Sequence, residues 1–326
     1  MSDFRWGLLG TGKIAKAFAE DIQLAPGHKI AAVGSRSISS AEKFASNYPG
    51  SVAYGSYEEL VSSDVDAIYV ASPHPFHAEH ALLAMRAGKA VLCEKPFTIN
   101  HSEAQELIDY SRSNSIPLME ALWTRFLPHI AEIKSVIASG ALGKISTITA
   151  DHGQYLPADP FARLWEPALG GGALLDLGIY PLTLAHIMLG KPEKITAVAT
   201  LTDQKVDLQS TMVLQYSDGA QAILTSTMAN KSGNIGVISG EKARIEIDGP
   251  FYKPTSWRLI TRDEKVTEYP NTYIGNGLKE EAIEFARVVR AGEVESQLMT
   301  HETTLEVMEI MDEIRRQIGV RYPSEK

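Results

Sequence analysis

From Phe4 to about Ala121, short apolar β-rich runs alternate with segments whose apolar positions recur at helical spacing. That alternation predicts βαβ units and a parallel sheet. Strands are predicted over Phe4–Leu9, Lys29–Gly34, Ala67–Ala71, Ala90–Glu94 and Pro117–Ala121, with helices over Lys13–Gln23, Ser40–Asn47, Ser56–Ser62, His77–Arg86 and Ser102–Ser113. Past Trp123 the pattern changes to a helix over Ile130–Ser139, a strand from Ile145, an irregular loop rich in Pro, Asp and Trp, and a helix around Ala173–Leu189. Strands then dominate: Ile195–Leu201, Ser210–Gln215, Ala220–Thr227, Arg244–Ile247 and Trp257–Ile260, with Ser217-Asp218-Gly219 as a hairpin turn. Helices over Leu278–Ala291 and Thr303–Ile318 close the chain. The expected fold class is α/β. A doubly wound parallel sheet occupies residues 1–121, and an α+β domain on a large open, mostly antiparallel sheet occupies residues 122–326.

Length agrees, since 326 residues suit about two domains of roughly 150 each. Apolar residues at 44% and charged ones at 22% are ordinary for a globular chain and exclude wholesale disorder. The 31 Lys plus Arg against 40 Asp plus Glu leave a formal net charge of −9, with the acids scattered. No clustered basic surface is expected, so nucleic acid and anionic membrane are excluded as partners. The single cysteine, Cys93, lies in the apolar run Ala90-Val91-Leu92-Cys93 and forms neither an intramolecular disulfide nor a thiolate zinc site. The reducing cytoplasm is its expected setting. The N-terminus shows no basic and apolar leader, and no run of 18 apolar residues spans a bilayer.

Chemistry enters with Gly10-Thr11-Gly12-Lys13-Ile14-Ala15, which follows the first strand and opens the first helix. This is the G-x-G-x-x-A loop of a Rossmann domain. Its first glycine permits the turn, its second lets backbone approach a pyrophosphate, and Ala15 allows close helix packing. After the second strand the chain reads Gly34-Ser35-Arg36-Ser37. An NAD site usually carries a carboxylate here for the ribose 2′-OH, whereas an arginine and two hydroxyls suit a 2′-phosphate. NADP is therefore the expected cofactor. The alternative for Arg36 is a solvated surface side chain.

Three further segments resemble the Gfo/Idh/MocA oxidoreductases: Ser72-Pro73-His74-Pro75-Phe76-His77, Gly88-Lys89, and Glu94-Lys95-Pro96 after the fourth strand. Met119-Glu120-Ala121-Leu122-Trp123-Thr124-Arg125-Phe126 and Gly170-Gly171-Gly172-Ala173-Leu174-Leu175-Asp176-Leu177-Gly178-Ile179-Tyr180 are similar to the dimeric dihydrodiol dehydrogenase branch, which includes NADP-dependent D-xylose 1-dehydrogenases. The resemblance covers essentially the whole chain. It implies that Ser72, Pro73, His74, His77, Glu94 and Lys95 lie at the cofactor, that Lys95-Pro96 is a cis bond, and that Lys95, Asp176 and Tyr180 are catalytic. Many relatives carry histidine where this chain has Tyr180, and that departure fits the dihydrodiol branch.

The residue chemistry is compatible. On a helix Asp176 and Tyr180 share a face and can project into an interdomain cleft. Oxidising a secondary alcohol needs a base for the hydroxyl proton while hydride leaves carbon. A tyrosine with a pKa of about 10 needs help at neutral pH, and the Lys95 ammonium would stabilise its phenolate and polarise the substrate oxygen. Asp176 would orient Lys95 or bind a substrate hydroxyl; the alternatives are a helix-start carboxylate and a packing tyrosine.

Trp123, Arg125 and Arg163 offer stacking and hydrogen bonds to a sugar or polyol; Trp165 either joins them or covers the nicotinamide, and domain packing is the alternative for all four. His74, His77 and His80 form H-x-x-H-x-x-H without a carboxylate or thiolate arranged beside them, so no metal site is expected.

The expected function is hydride transfer between NADP and a CH–OH or carbonyl carbon of a sugar, polyol or trans-dihydrodiol. The competing readings are a non-catalytic NAD(P)-binding regulator and a redox-assisted glycoside hydrolase. A broad sheet covered on one face implies, with the resemblance, a homodimer through the other.

Overall fold

β1 (Phe4–Leu9) buries every residue but the half-buried Arg5, as a strand covered on both sheet faces must. It is followed by α1 (Lys13–Ile22), β2 (His28–Gly34), α2 (Ile38–Ala45), β3 (Val52–Tyr54), α3 (Tyr57–Val61), β4 (Ala67–Val70), α4 (His77–Arg86), β5 (Ala90–Glu94), α5 (His101–Asn114), β6 (Leu118–Ala121) and α6 (Pro128–Ala138). Next come β7 (Ile145–Gly153), α7 (Ile179–Leu189), β8 (Lys194–Leu201), β9 (Asp207–Gln215), β10 (Gln221–Thr227) and β11 (Gly236–Gly240). The chain ends with β12 (Ala243–Ile247), β13 (Trp257–Thr261), β14 (Val266–Tyr269), α8 (Lys279–Ala291) and α9 (His301–Ile318). These elements come from a computed structural model that describes residues 2–159 and 162–325.

The first six strands form one parallel sheet in the order β3-β2-β1-β4-β5-β6. This is the doubly wound Rossmann order, whose switch point falls between β1 and β4. The other eight form a sheet in the order β14-β13-β12-β11-β7-β10-β9-β8, antiparallel except for the β7–β10 pair. Both sheets match the expected fold class. The hairpin at Ser217-Asp218-Gly219 joins β9 to β10, with Gly219 at φ +91°.

Local chemistry explains several boundaries. Asn100 accepts the Glu103 N–H at 2.9 Å while the Glu103 carboxylate takes the Ile99 N–H at 3.3 Å, which fixes the start of α5. Pro128 opens α6, where its missing N–H costs nothing. The stretch Pro167–Leu189 is long and apolar enough to cross a membrane by length and composition, yet it is broken at Gly170–Gly172 and 78% of its most apolar window is buried inside the fold, as in a core segment.

Contacts divide the chain into two compact units. The first holds the chain up to Trp123 and also Gly275–Leu305, a segment assigned from the sequence to the C-terminal half. Asp21 explains that return. Buried at the end of α1, its carboxylate accepts N–H groups from Asn276 (2.7 Å), Gly277 (2.9 Å) and Leu278 (2.7 Å), and so anchors the entry to α8. Phe285 of α8 then packs 6.2 Å from the Trp6 ring of β1. The second unit holds Thr124–Ile274 and the chain from Glu306 on, with α7 packed on β7 and β10.

Candidate functional site

In the first unit the phosphate loop sits at the switch point. Gly10 has φ +115°, and a Cβ there would lie 2.9 Å from the Ala71 carbonyl oxygen, so only glycine fits where β1 and β4 diverge. Gly12 is the residue just before α1; among the described residues nothing lies within 4 Å of a Cβ placed on it, and no side chain caps the helix. Thr11, Lys13 and Ile14 therefore present backbone N–H groups and the helix dipole to the space outside the sheet edge, where a pyrophosphate is favoured.

Beyond β2, the Ser35 hydroxyl accepts the Ser37 N–H at 3.3 Å. Exposed Arg36 borders a pocket of about 440 Å³ whose other walls include Tyr57, Pro73, Phe76 and His80. Burial lowers the His80 pKa and the Arg36 charge lowers it further, while Glu79 and Glu58 oppose. No acidic side chain stands at Ser35, Arg36 or Ser37.

The loops after β4 and β5 are tied by one ring. His77 is fully buried, with Nε2 2.8 Å from the Ser72 carbonyl oxygen and Nδ1 2.8 Å from that of Pro96. Two carbonyls favour an imidazolium, but burial outweighs them and holds the pKa down to about 4. The neutral ring therefore donates to only one of them. His80 Nδ1 meets the Ser72 hydroxyl at 2.9 Å, and His74 is buried 5.6 Å from the His77 ring. His77 and His80 thus both bond Ser72, and among the described residues no group of three or more His, Cys, Asp or Glu side chains converges on a metal position.

The Lys95–Pro96 peptide is cis. Glu94 is buried, accepting the Tyr69 hydroxyl on one oxygen and the Lys95 N–H at 3.1 Å on the other. Its carboxylate is thereby held inside the protein at the very turn that presents Lys95. Burial pushes the Cys93 thiol up, and Glu94 and Glu120 add to the shift, so the thiolate is disfavoured.

In the second unit the three glycines have distinct reasons. Gly170 has φ +66°, a Cβ on Gly171 would lie 2.8 Å from the Leu164 carbonyl oxygen, and Gly172 has φ +108° against the Asp207 carboxylate. The bend leads into a π-helical turn, Leu174–Gly178, rather than the regular helix start expected from the sequence. Such turns concentrate at functional sites. Asp176 lies in it, and Arg163 Nη2 donates to Asp176 Oδ1 at 2.9 Å, which joins two of the expected site residues.

Tyr180 follows in α7, only 6% exposed. Its ring stacks on Tyr252 at 4.5 Å and 27°, and His152 lies 5.3 Å away on β7 and 4.2 Å from Tyr252. His152 Nδ1–H donates to the Leu177 carbonyl at 3.1 Å, and the Gln154 amide donates to its Nε2 at 3.0 Å, which defines one tautomer.

The remaining expected residues have mixed surroundings. Trp123 is buried, and Trp165 has a buried indole N–H without an acceptor among the described residues. Arg125 donates to His186 Nδ1 at 2.9 Å, and His186 Nε2–H donates to Glu306 at 2.8 Å. Burial first, and then Arg125, lowers the His186 pKa against the pull of Glu306.

Comparison with known proteins decides the family. Residues 4–121 match the family model described as "Oxidoreductase family, NAD-binding Rossmann fold", and residues 130–249 match the GFO/IDH/MocA C-terminal domain. The chain belongs to the Gfo/Idh/MocA oxidoreductase family. Among curated members it is 37% identical to trans-1,2-dihydrobenzene-1,2-diol dehydrogenase of Danio rerio, covering 98% of each chain, and 35% identical to that of Homo sapiens, covering 99% of each. A 3-ketoreductase from Actinomadura kijaniata, solved with NADP and TDP-benzene, superposes with a TM-score of 0.88 at 27% identity over 97% of this chain and 98% of that one.

As a Gfo/Idh/MocA protein it carries an NAD(P)-binding domain, and its residues fit such a cofactor: a glycine turn, an open Gly12 and an uncapped α1 lie together at the switch point. Sequence reasoning did not single out His152 and Tyr252 beside the Tyr180 ring, Asp207 against the glycine bend, or His186 beside Arg125, which come from distant segments of this Gfo/Idh/MocA chain. The one local sign was a histidine in the apolar core helix α7.

Proposed function

We propose that the chain is an NADP-dependent dehydrogenase or reductase of CH–OH groups, acting on a sugar, a polyol or a trans-dihydrodiol. The observation that supports this reading is the Arg163–Asp176 pair in the π turn that leads directly into Tyr180 of α7, in a chain whose curated relatives are named dehydrogenases. Nicotinamide, when bound, supplies the hydride acceptor for alcohol oxidation and the donor for the reverse. The Gly10–Ala15 loop holds the pyrophosphate through backbone N–H groups, and Ser35, Arg36 and Ser37 hold the 2′-phosphate. Ser72, Pro73, His74, His77 and Glu94 shape the adjoining loops. Support for NADP comes from Arg36 standing where an acidic residue would favour NAD, and from the 3-ketoreductase that was solved with NADP.

Tyr180 takes the hydroxyl proton on its phenolate oxygen, or returns it to a carbonyl. The Lys95 ammonium lowers the cost of that phenolate and polarises the substrate oxygen. Asp176, steadied by Arg163, accepts a substrate hydroxyl. Trp123, Arg125, Arg163 and Trp165 supply stacking and donors for the rest of the substrate.

A homodimer through the open sheet face accompanies this reading. Registered neighbours across β8, β9, β10, β7 and β11 are Thr196, Val213, Ile223, Thr149 and Val237, an uncharged row, before Glu246, Arg258 and Glu268 continue it as charges. Ile223→Arg is expected to give monomers in sedimentation. The reducing cytoplasm suits the single buried thiol.

The test is an absorbance assay with NADP against a panel of aldoses and trans-diols. Net NADPH formation is the expected result. Cofactor binding without chemistry supports a regulator, and glycoside cleavage without net reduction supports a hydrolase; either overturns the proposal.

A further inference from the structure

Asp207 is the first residue of β9 and is fully buried. It faces the glycine bend. Its Oδ2 accepts the Leu174 N–H at 2.8 Å, and a Cβ on Gly172 would overlap its other oxygen. Leu174 opens the π turn that carries Asp176, and α7 with Tyr180 follows directly.

The far end of the same turn rests on a hydroxyl pair. Ser210 Oγ and Ser226 Oγ are 2.8 Å apart and buried, and a Cβ on Gly178 would lie 3.0 Å from Ser226 Oγ. The Ser210 hydroxyl also favours the charged form of Asp207. A line of aspartate, serine and serine therefore underlies the π turn from its first residue to its last.

Among the described residues no Lys, Arg or His pairs with Asp207, so hydrogen bonds alone must hold its charge. Burial is the largest influence and raises the pKa to about 7. Against it, the Leu174 N–H bonds Oδ2, Oδ1 has no hydrogen-bond partner among the described residues, and the nearby Ala173 and Asp207 backbone and Ser210 hydroxyl also favour the charge. Around the bend stand Asp176, paired with Arg163 at 2.9 Å, Glu166, whose backbone carbonyl accepts the Gly171 N–H at 3.1 Å, and Tyr322, whose hydroxyl donates to the Gly171 carbonyl at 2.7 Å. Burial and the Asp207 charge raise the Tyr322 pKa, with Arg315 and Glu325 acting on it in opposite senses.

We propose that Asp207 is a positioning residue for the acid–base helix: its ionised carboxylate holds the glycine bend and π turn in the arrangement that places Asp176 and Tyr180, and its protonation relaxes that hold. The physical basis is the stronger bond that an anion makes to N–H groups at a helix start. The inference rests on the roles given above to Asp176 and Tyr180.

The experiment measures kcat, KM and melting temperature across about two pH units on either side of 7. In the parent, kcat rises about ten-fold with pH through that window while the cofactor KM stays constant. Its melting temperature falls over the same range, because a carboxyl whose folded pKa is raised loses its stabilisation as pH rises through that value. Asp207→Asn is expected to flatten the kcat limb at the low-pH level and to lessen the fall in melting temperature, of which buried Glu281 keeps its own share. Ser210→Ala, which removes one group that favours the charge, shifts both limbs to higher pH and serves if Asp207→Asn does not fold. An unchanged kcat limb in the variant overturns the proposal. The melting limb reads Asp207 without turnover, so a fully active Tyr180→Phe enzyme would remove the acid–base reading while leaving that limb in place.

Discussion

Tyr252 lies nearly face to face with Tyr180, ring centroids 4.5 Å apart and planes 27° from parallel. Tyr252 is itself pinned, since its backbone carbonyl accepts the Thr124 hydroxyl at 3.0 Å. The stack fixes where the Tyr180 oxygen points. An aromatic pair of this kind contributes about 0.5–1.5 kcal/mol, and small misplacements of a reacting group cost more in rate. Tyr252→Leu is expected to lower kcat about 10- to 100-fold, and Tyr252→Phe to restore it to within a few-fold. Steady-state kinetics check this; equal rates in the two variants would show that the stack does not position Tyr180.

The proposed function gives the preference for NADP to Arg36. A hydrogen bond to a charged group contributes about 1.5–3 kcal/mol, so Arg36→Ala should reduce kcat/KM with NADP by roughly 10- to 100-fold. Efficiency with NAD should change little. An unaltered ratio between the cofactors would sink the assignment.

Asp21 holds the entry to α8 through three backbone N–H groups and the Asn276 amide, the last at 3.1 Å. Asp21→Ala leaves the buried Gly277 and Leu278 N–H groups without their acceptor, at a cost of about 3 kcal/mol or more. Urea denaturation is expected to show that loss, with Asp21→Asn retaining part of the stability. A midpoint unchanged in Asp21→Ala would contradict the anchoring role.

Glu281 of α8 is fully buried, and neither carboxyl oxygen has a hydrogen-bond partner among the described residues. Burial raises its pKa well above the usual carboxylate range, and Glu94, Asp21, Glu280 and Glu120 add to the shift. The sign follows directly: stability is fully present below the unfolded carboxyl value and declines as pH rises through the folded one. Glu281→Gln is neutral at every pH and should therefore melt higher than the parent at alkaline pH, with the gap closing toward pH 4.5. A gap independent of pH would show that Glu281 is ionised in the folded protein.

Much of the fold was legible because its signals are local. The buried run of β1, the Gly10-Thr11-Gly12 turn and the Ser217-Asp218-Gly219 hairpin all announce themselves within a few residues. β3, β11 and β14 did not. β3 and β14 are edge strands, short and partly exposed, while β11 is two apolar residues and a serine between glycines, and each is strand only because a neighbour is already there to pair with it. The return of Gly275–Leu305 had one sign, an aspartate on the buried face of α1 between Phe18 and Ile22. For the candidate site, the phosphate loop and Arg36 are proposed from residue chemistry, whereas Lys95, Asp176 and Tyr180 are proposed through family resemblance. Their supports, Asp207, His152 and Tyr252, come from remote strands and loops, and no periodicity or spacing connects them to the π turn.

The most direct measurement of the central claim is the turnover of Tyr180→Phe with NADP and the best substrate of the aldose and diol panel. This change removes one oxygen and leaves the ring on Tyr252. General acid–base catalysis contributes about 10²- to 10⁴-fold, so kcat should fall by that much while NADP affinity and melting temperature stay near the parent values. A kcat within a few-fold of the parent would contradict the account.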